Sequence, residues 1–389
     1  MKKKLFLIAL LLVFALISCG GEEEDDDWGN DGDTPSGGDV GNGDNGLEEW
    51  KINWGAEEEK PSQTKSIIID SNDIIYVAGN TYGKLYSEMQ GEKDVFLAAF
   101  NSKGKELWGI QLGSNSTETA FVGLAVDEQN NLYIATKNSI QEKHLMKFSS
   151  DGVKIWDKSL EVQGIAALAV DGSGNIYVGT AKSYDILKFS TDGEKLSSYN
   201  FYAAQNTYNS ITKIIVDSDG NIYAGGATSE NLFATLTSTQ DSFLVKIAPN
   251  GTVLWGKQWG GTANFNKISS VLDMLIDSDN NLYLPVPSEH DYVLLKISPT
   301  GDDLWESPKL DIGVPVSLSL DTLDKIYICG SNKVYKYSSD GKKIWSWKND
   351  ERYVTVQGIA SDSKNNIYVL GIKGGKNIYL MKIPASAIK

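Results

Sequence analysis

The sequence predicts an all-β protein made of seven repeated four-stranded units, and three observations lead to that fold. An Asp-x5-Tyr spacing occurs seven times along the chain. A Gly-x3-Trp spacing follows it in most of the repeats. The segment that would complete the last repeat stands near the front of the chain. A period of about 40–45 residues with strand-turn-strand content is typical of the blades of a β-propeller.

The Asp-x5-Tyr spacing marks the first turn of each unit. A short apolar run precedes the Asp, as expected of a buried strand, and a second strand begins at about the Tyr. The Asp carboxylate can accept hydrogen bonds from amides two residues on, and Gly or Asn in the turn tolerates a positive φ. We interpret these residues as structural positions of the repeat. They are Asp70, Tyr76, Asp127, Tyr133, Asp171, Tyr177, Asp217, Tyr223, Asp277, Tyr283, Asp321, Tyr327, Asp362 and Tyr368.

The Gly-x3-Trp spacing marks a second turn and the fourth strand. The third unit departs from it, because Ser197 stands four residues after Gly193 where the other units have Trp. A buried Trp hides about 150–250 Å² of surface, so we interpret these aromatics as packing between blades. With the equivalent residue near the N-terminus, the Trp positions are Trp50, Trp108, Trp156, Trp255, Trp305 and Trp345.

The two ends of the chain predict how the ring closes. The last repeat stops at its third strand, residues 378–383, and lacks a Gly-x3-Trp strand. Residues 46–55 carry that missing pattern in Gly46 and Trp50. We predict that residues 46–55 pair with the C-terminal three strands and complete the seventh blade. A ring closed in this way has no open strand edge inside it.

The repeats resemble the seven-bladed propeller repeats of the SBBP type, whose pattern is DssGNxYvtG…DaFlvKxspdGxxLW. Residues 217–226 read DSDGNIYAGG and residues 241–255 read DSFLVKIAPNGTVLW. The resemblance covers roughly residues 46–389. It implies the same seven-bladed fold for that domain and no particular activity.

Residues 1–19 are predicted to be a signal peptide. Three lysines are followed by Leu5–Ile17, an apolar run too short to span a bilayer as a helix. The run ends in LISCG, which resembles the lipobox of bacterial lipoproteins. By that resemblance, Cys19 is the first mature residue and the lipid attachment site, and the membrane is a partner through this lipid. An ordinary signal peptide with an incidental Cys is the alternative.

Residues 20–45 are predicted to be a disordered tether, because they are rich in Gly, Asp and Asn and nearly free of apolar side chains. Residues 20–60 hold 15 acidic and 2 basic residues, which accounts for most of the net charge of −15. The ring itself is only mildly negative, and this argues against nucleic-acid binding, which needs a basic stripe. An acidic block after a lipidated Cys resembles surface-export signals, while a plain soluble spacer is equally consistent. We therefore expect a lipid-anchored protein of the bacterial cell envelope, at the outer membrane, on its periplasmic or surface face.

Two loops between second and third strands are longer than the connection requires, in the first unit at Asn80–Asp94 and in the fourth at Ala227–Asp241. Such loops are candidates for function. The alternative is that each one folds over its own blade. One histidine also lies on the loop side of the fifth unit. The candidate ligand-binding or partner-binding residues are Tyr82, Tyr86, Met89, Phe233 and His290.

The sequence shows no set of metal-binding or catalytic residues. Asp217-x-Asp219-x-Asn221 resembles the start of a calcium loop but lacks the Gly and Glu that such a loop needs at its sixth and twelfth positions. His144 and His290 are the only histidines, and once Cys19 carries a lipid Cys329 is the only thiol. We therefore predict no metal, no cofactor and no catalytic residue, with His144 as a strand residue and Cys329 as a small core residue.

The leading functional hypothesis is a non-catalytic binding scaffold, anchored by lipid, whose partner is another envelope protein or an extracellular ligand. Two alternatives stay open. The first is a propeller enzyme, such as a lactonase, a lyase or a quinone-dependent dehydrogenase, because the Gly-x3-Trp turns resemble the tryptophan-docking repeats of the quinone family. The second is an outer-membrane assembly factor, which shares only architecture and address with this chain.

Overall fold

The computed structural model of the protein describes residues 48–114, 117–139, 142–202, 209–237, 239–260, 270–288 and 291–388. In this part the chain forms 28 β-strands and two short 3₁₀ helices, Glu57–Glu59 and Ala385–Ala387. None of its helices has the length and apolar character required to cross a bilayer.

The strands of the first half, in chain order, are β1 Trp50–Trp54, β2 Ser62–Ile69, β3 Ile75–Thr81, β4 Asp94–Phe100, β5 Glu106–Leu112, β6 Thr119–Val126, β7 Leu132–Asn138, β8 Lys143–Phe148, β9 Lys154–Ser159, β10 Ile165–Val170, β11 Ile176–Thr180, β12 Asp185–Phe189, β13 Lys195–Asn200 and β14 Ser210–Val216. Those of the second half are β15 Ile222–Thr228, β16 Asp241–Ile247, β17 Val253–Trp259, β18 Leu275–Ile276, β19 Leu282–Pro287, β20 Tyr292–Ile297, β21 Asp303–Glu306, β22 Pro315–Leu320, β23 Ile326–Gly330, β24 Lys333–Tyr337, β25 Lys343–Lys348, β26 Val354–Ser361, β27 Ile367–Lys373 and β28 Asn377–Ile383.

The strands form seven antiparallel sheets of four strands, and each sheet is one blade of a ring. Blades 1 to 6 use consecutive strands, from β2–β5 through β22–β25. Blade 7 has the order β1-β28-β27-β26, so the first strand of the chain is the outermost strand of the last blade. The predicted seven-bladed fold and its closure by the N-terminal strand are both confirmed.

The closing strand is shorter than the ten residues expected from the sequence, but it is fully paired. All five residues of β1 have partners on β28, from Trp50 opposite Lys382 to Trp54 opposite Ile378. The Trp54 ring packs against Phe100 of blade 1, with ring centroids 4.9 Å apart. Strand β1 therefore completes blade 7 and also contacts the next blade of the ring.

Burial along each blade follows the sequence pattern. The second and third strands are continuous apolar runs, and in blades 1 and 4 all seven residues of each are buried. The outermost strands alternate between exposed and half-buried residues, as in β9 and β25. Seven apolar clusters in the described part of the chain lie between the faces of neighbouring blades. The core is thus distributed around the ring.

Candidate functional site

The topology gives the ring two different faces. Because the four strands of a blade run up and down in turn, the first-to-second and third-to-fourth turns lie together on one face, which we call the turn face. The second-to-third loops and the connections between blades lie on the other, which we call the loop face. The turn face carries the repeated Asp, Tyr and Gly residues, and the loop face carries the segments that differ between blades.

On the turn face, the repeated Asp organises a buried polar network, shown here for blade 5. One oxygen of Asp277 accepts hydrogen bonds from the backbone N–H of Asp279 and of Asn281, at 3.0 and 2.8 Å. The other accepts the hydroxyl of Tyr283 at 2.9 Å and lies 3.2 Å from the Lys296 ammonium. That ammonium stands 4.9 Å from the centre of the Tyr283 ring, in cation–π range.

The pKa directions agree with this network. Burial by itself raises the pKa of Asp277, but hydrogen bonds from Asn281, Tyr283 and Lys296 outweigh it and hold the pKa below its usual value. Burial and the neighbouring carboxylate raise the pKa of Tyr283. These groups are a structural ion-pair network that recurs with the repeat, and the same Asp–Tyr hydrogen bond occurs in blades 1, 2, 3, 6 and 7.

The same network explains the calcium-like spacing at Asp217. Its Oδ1 accepts the backbone N–H groups of Asp219 and Asn221 at 3.0 and 2.8 Å, which is the hydrogen bonding of a tight turn. Within the described ranges, no three His, Cys, Asp or Glu side chains are grouped so as to hold a metal ion.

The Gly-x3-Trp residues join one blade to the next. The Trp108 indole N–H donates to the carbonyl of Ser150 in the following blade at 2.9 Å, and the ring lies over Gly152. Gly152 has φ +78°, and a Cβ at this residue would stand 2.8 Å from the indole. The glycine is therefore required both by the turn and by the indole of the preceding blade. Equivalent indole bonds come from Trp50, Trp156, Trp255 and Trp305.

The third unit, which lacks the Trp, makes this junction with a different residue. Tyr199, two positions after Ser197, donates its hydroxyl to the carbonyl of Pro249 at 3.2 Å and lies against Gly251. Trp345 also differs, because blade 7 has no third-to-fourth turn. It packs in a cluster with Ile388, next to the C-terminal 3₁₀ helix.

The two long loops share one construction, and each lies over its own blade. In blade 1, Gln111 Oε1 accepts the N–H groups of Leu85 and Tyr86, while its amide donates to Asp94 at 2.9 Å. In blade 4, Gln258 holds Leu232 and Phe233 in the same way and donates to Asp241 at 3.0 Å. The Tyr86 and Phe233 rings cover Gly109 and Gly256 of their own outermost strands.

The candidate partner-binding residues that the structure describes are in contact with their own blades. Tyr86 and Phe233 are half-buried against their own blades, and the Met89 sulfur is 3.1 Å from the Gln111 amide. Tyr82 is half-buried, and the Lys93 ammonium is 5.9 Å from the centre of its ring. His290 and Cys19 lie outside the described residues. A partner-binding role for these residues stays a prediction.

A central channel runs through the ring and contains a cavity of about 380 Å³. Six of the seven innermost strands carry a β-bulge at the same position, which turns one side chain toward the channel. The bulged residues that line the cavity are Lys65, Val122, Ala166, Thr212, Val316 and Gln357. In blade 5 the corresponding region holds Asp273, whose carboxylate lies 2.6 Å from the Lys213 ammonium and accepts the Leu318 N–H at 2.8 Å.

A second concave site lies on the loop face between blades 1, 2 and 3, with a volume of about 370 Å³. We call it the lysine hollow, after Lys93, Lys137, Lys143 and Lys182, which line it together with Glu118. Its size falls in the range of small-molecule sites. The sequence does not predict this site, because its four lysines stand at different positions of their repeats and no common spacing connects them.

His144 and Cys329 lie in strands. His144 is in β8, and its Nδ1 is 2.7 Å from an oxygen of Asp157 on the neighbouring strand. Cys329 is fully buried, and burial raises the pKa of its thiol.

Comparison with known proteins identifies the fold and goes no further. No protein-family model matches the chain. No curated protein matches it either. Among solved structures, the chain is similar to a catalytically inactive virginiamycin B lyase from Staphylococcus aureus, crystallised with quinupristin, at 10% identity and a TM-score of 0.59 over 86% of this chain and 100% of the lyase.

It is also similar to the WD40 β-propeller domain of Doa1, at 12% identity and a TM-score of 0.57, over 88% of this chain and 97% of that domain. The WD40 domain of Neurospora crassa Pan2 matches at 11% identity and a TM-score of 0.57, over 84% of this chain and 90% of that chain. At such low identity these similarities show a β-propeller and carry no activity over to this chain.

Proposed function

We propose that this protein is a non-catalytic binding scaffold of the bacterial cell envelope, anchored through a lipid on Cys19, that presents the loop face to its ligand or partner. The observation that carries the proposal is the construction of that face. Both long loops are held on their blades by matching Gln and Asp hydrogen bonds, so these two parts of the face are preorganised. A surface that is already ordered loses little conformational entropy on binding.

The proposed anchor rests on the lipobox-like segment that ends at Cys19 and on the acidic, apolar-poor residues 20–45 that follow it. Metabolic labelling with a palmitate analogue in a bacterial host tests it. The label is expected on the full chain and is expected to be lost in Cys19→Ala, with the variant leaving the membrane fraction. A labelled Cys19→Ala chain would contradict the anchor.

Site-specific photocrosslinking in cells tests which face binds. A photoreactive amino acid replaces Tyr82 on the loop face or, as the matched control, Leu323 on the turn face, which is 66% exposed. Crosslinks are expected from position 82 and not from position 323. Crosslinks confined to position 323 would contradict a docking role for the loop face.

Activity assays test the non-catalytic part of the proposal. The purified chain is expected to leave esters, lactones and alcohols unchanged, and to develop no cofactor absorbance with pyrroloquinoline quinone and calcium. Turnover of any of these substrates would overturn this part and favour the propeller-enzyme alternative.

A further inference from the structure

We propose that the lysine hollow on the loop face binds a small polyanion, a molecule that carries at least two carboxylate or phosphate groups. The inference deepens the proposed function, since it names the ligand chemistry for one part of the loop face, and it depends on neither the lipid anchor nor a protein partner. It rests on the placement of four lysines that the topology brings together from three blades.

The hollow concentrates positive charge on a chain that is acidic overall. Lys93 comes from blade 1, Lys137 and Lys143 from blade 2, and Lys182 from blade 3. Glu118 neutralises one of these charges through an ion pair with Lys93 at 2.6 Å. Three lysine charges are left over, although the complete chain has a net charge of −15. A local excess of this size matches a ligand with two or three negative charges.

Lys143 lines the hollow and has the least exposed side chain of its four lysines. The residue is 6% exposed, and in the described part of the chain no carboxylate forms an ion pair with it, with Lys137 or with Lys182. The carboxylate of Glu142, the residue before Lys143, accepts a hydrogen bond from the Asn138 amide at 2.7 Å. An ammonium group with little solvent around it is stabilised by a paired anion, and a bound polyanion would supply that pair.

Lys137 and Lys143 also face each other directly across strands β7 and β8. Like charges at opposed positions of an antiparallel pair destabilise a sheet. Burial lowers the pKa of Lys137, and the Lys93 charge lowers it further. Burial and the same Lys93 charge lower the pKa of Lys65, which lines the central channel.

The other blades serve as internal controls for this pair. Lys137 stands four residues after the repeated Tyr. Its partner is the first or second residue of the third strand. Where the pairing is continuous, the other blades have two uncharged residues there. These pairs are Asn80 with Val95, Ala227 with Ser242, Pro287 with Tyr292, and Ile372 with Ile378. The fold therefore does not require lysine at this position. A residue that opposes local stability and that the repeat does not need is best explained by binding.

Isothermal titration calorimetry of the purified full chain at low salt tests the proposal, with pyrophosphate and citrate as separate probes and glucose as the neutral control. One probe molecule is expected to bind per chain, with a Kd of about 0.1–1 mM that weakens as salt is added. Binding of pyrophosphate alone would identify phosphate groups as the ligand chemistry, and binding of citrate alone would identify carboxylates. Both results support the site, whereas no heat with either probe would overturn it.

Three variants show whether the lysines of the hollow are responsible. Lys143→Met removes the charge of the least exposed lysine, and the double variant Lys137→Gln/Lys182→Gln removes two charges from residues outside the apolar core. Each is expected to weaken probe binding at least about tenfold. Lys195→Gln, an exposed lysine at the turn-face end of blade 3, is the matched control and should change Kd less than about twofold.

A thermal melt of each variant shows that it is folded. Unchanged binding in the double variant, or an equal loss in the Lys195 control, would overturn the proposal. The outcome is independent of the crosslinking experiment, so a failure of this inference and a failure of the proposed function can be told apart.

Discussion

Lys143 and Lys147 lie in the same strand, β8, and both are nearly buried, with exposures of 6% and 8%, but they end on opposite faces of the ring. The Lys147 ammonium has partners within the fold. Its ammonium donates to Thr191 Oγ1 of the next blade at 2.7 Å and stands 5.2 Å from the centre of the Tyr133 ring. Lys143 faces Lys137 across the hairpin and lines the lysine hollow.

The difference between the two lysines follows from the construction of the two faces of the ring. The turn face repeats one polar network blade after blade, and its lysines pair with partners that the fold itself supplies. The loop face departs from the repeat, and at the lysine hollow it accepts opposed like charges. In a repeat protein, a position that costs stability in one repeat and is neutral in the others indicates function more clearly than a position that recurs.

The largest loss of stability is expected from removing β1, because both faces of the ring depend on ring closure. Deletion of residues 20–55 breaks the pairing with β28 and removes the Trp50 and Trp54 packing, so we expect a fall in Tm of more than about 10 °C or the loss of cooperative unfolding. Deletion of residues 20–45 is the control and should move Tm by less than about 1 °C. Differential scanning calorimetry measures both, and equal melting curves would contradict closure by β1.

The next largest effect is expected from Asp277→Ala on the turn face. The substitution leaves two backbone N–H groups, the Tyr283 hydroxyl and the Lys296 ammonium without their acceptor. We expect a loss of about 3 kcal/mol in the free energy of unfolding, measured by urea denaturation. Asp279→Ala, an exposed carboxylate in the same turn, should cost less than about 0.5 kcal/mol. Similar losses in both variants would show that the turn network does not carry stability.

Substitutions of the two lysines of β8 are expected to change the free energy of unfolding by smaller amounts and in opposite directions. Lys147→Met removes a paired ammonium and should lower the free energy of unfolding by about 1–2 kcal/mol. Lys143→Met replaces a nearly buried lysine opposite another lysine by an apolar residue and should raise the free energy of unfolding by about 0.5–1 kcal/mol. Urea denaturation in buffer without polyvalent anions measures both. A loss of stability in Lys143→Met would show that Lys143 is structural.

The smallest effect is expected to be local. Gln111→Ala removes the acceptor that holds Leu85 and Tyr86, so residues 82–93 should open more often while the blade stays folded. Trypsin, which cuts after Lys84, should cleave the variant about tenfold faster, with a change in Tm below about 2 °C. Gln90→Ala, an exposed residue of the same loop, should behave as the wild type. Equal cleavage of both variants would show that Gln111 does not fix the loop.

The sequence alone determined the fold of this protein and the way the ring closes. Strand and turn residues act locally, and sevenfold repetition of the same Asp, Tyr and Gly spacings makes the register of each blade redundant. The pairing of the first strand with the last could be predicted because the last repeat lacks a Gly-x3-Trp strand and residues 46–55 contain one. Departures within the repeat were visible as well, but the replacement of the missing Trp by Tyr199 was not. Which residue replaces the Trp depends on which side chain reaches the Pro249 carbonyl in the next blade.

Only the tertiary structure showed how the loop face is built. Gln111 and Gln258 are ordinary polar residues in the sequence, and their role appears only when each loop folds back over its blade. The lysine hollow takes residues from three blades, and the opposition of Lys137 and Lys143 follows from hairpin register. Charge interactions depend on distance in space, so lysines spread over some ninety residues of sequence become one site only after the blades are placed side by side.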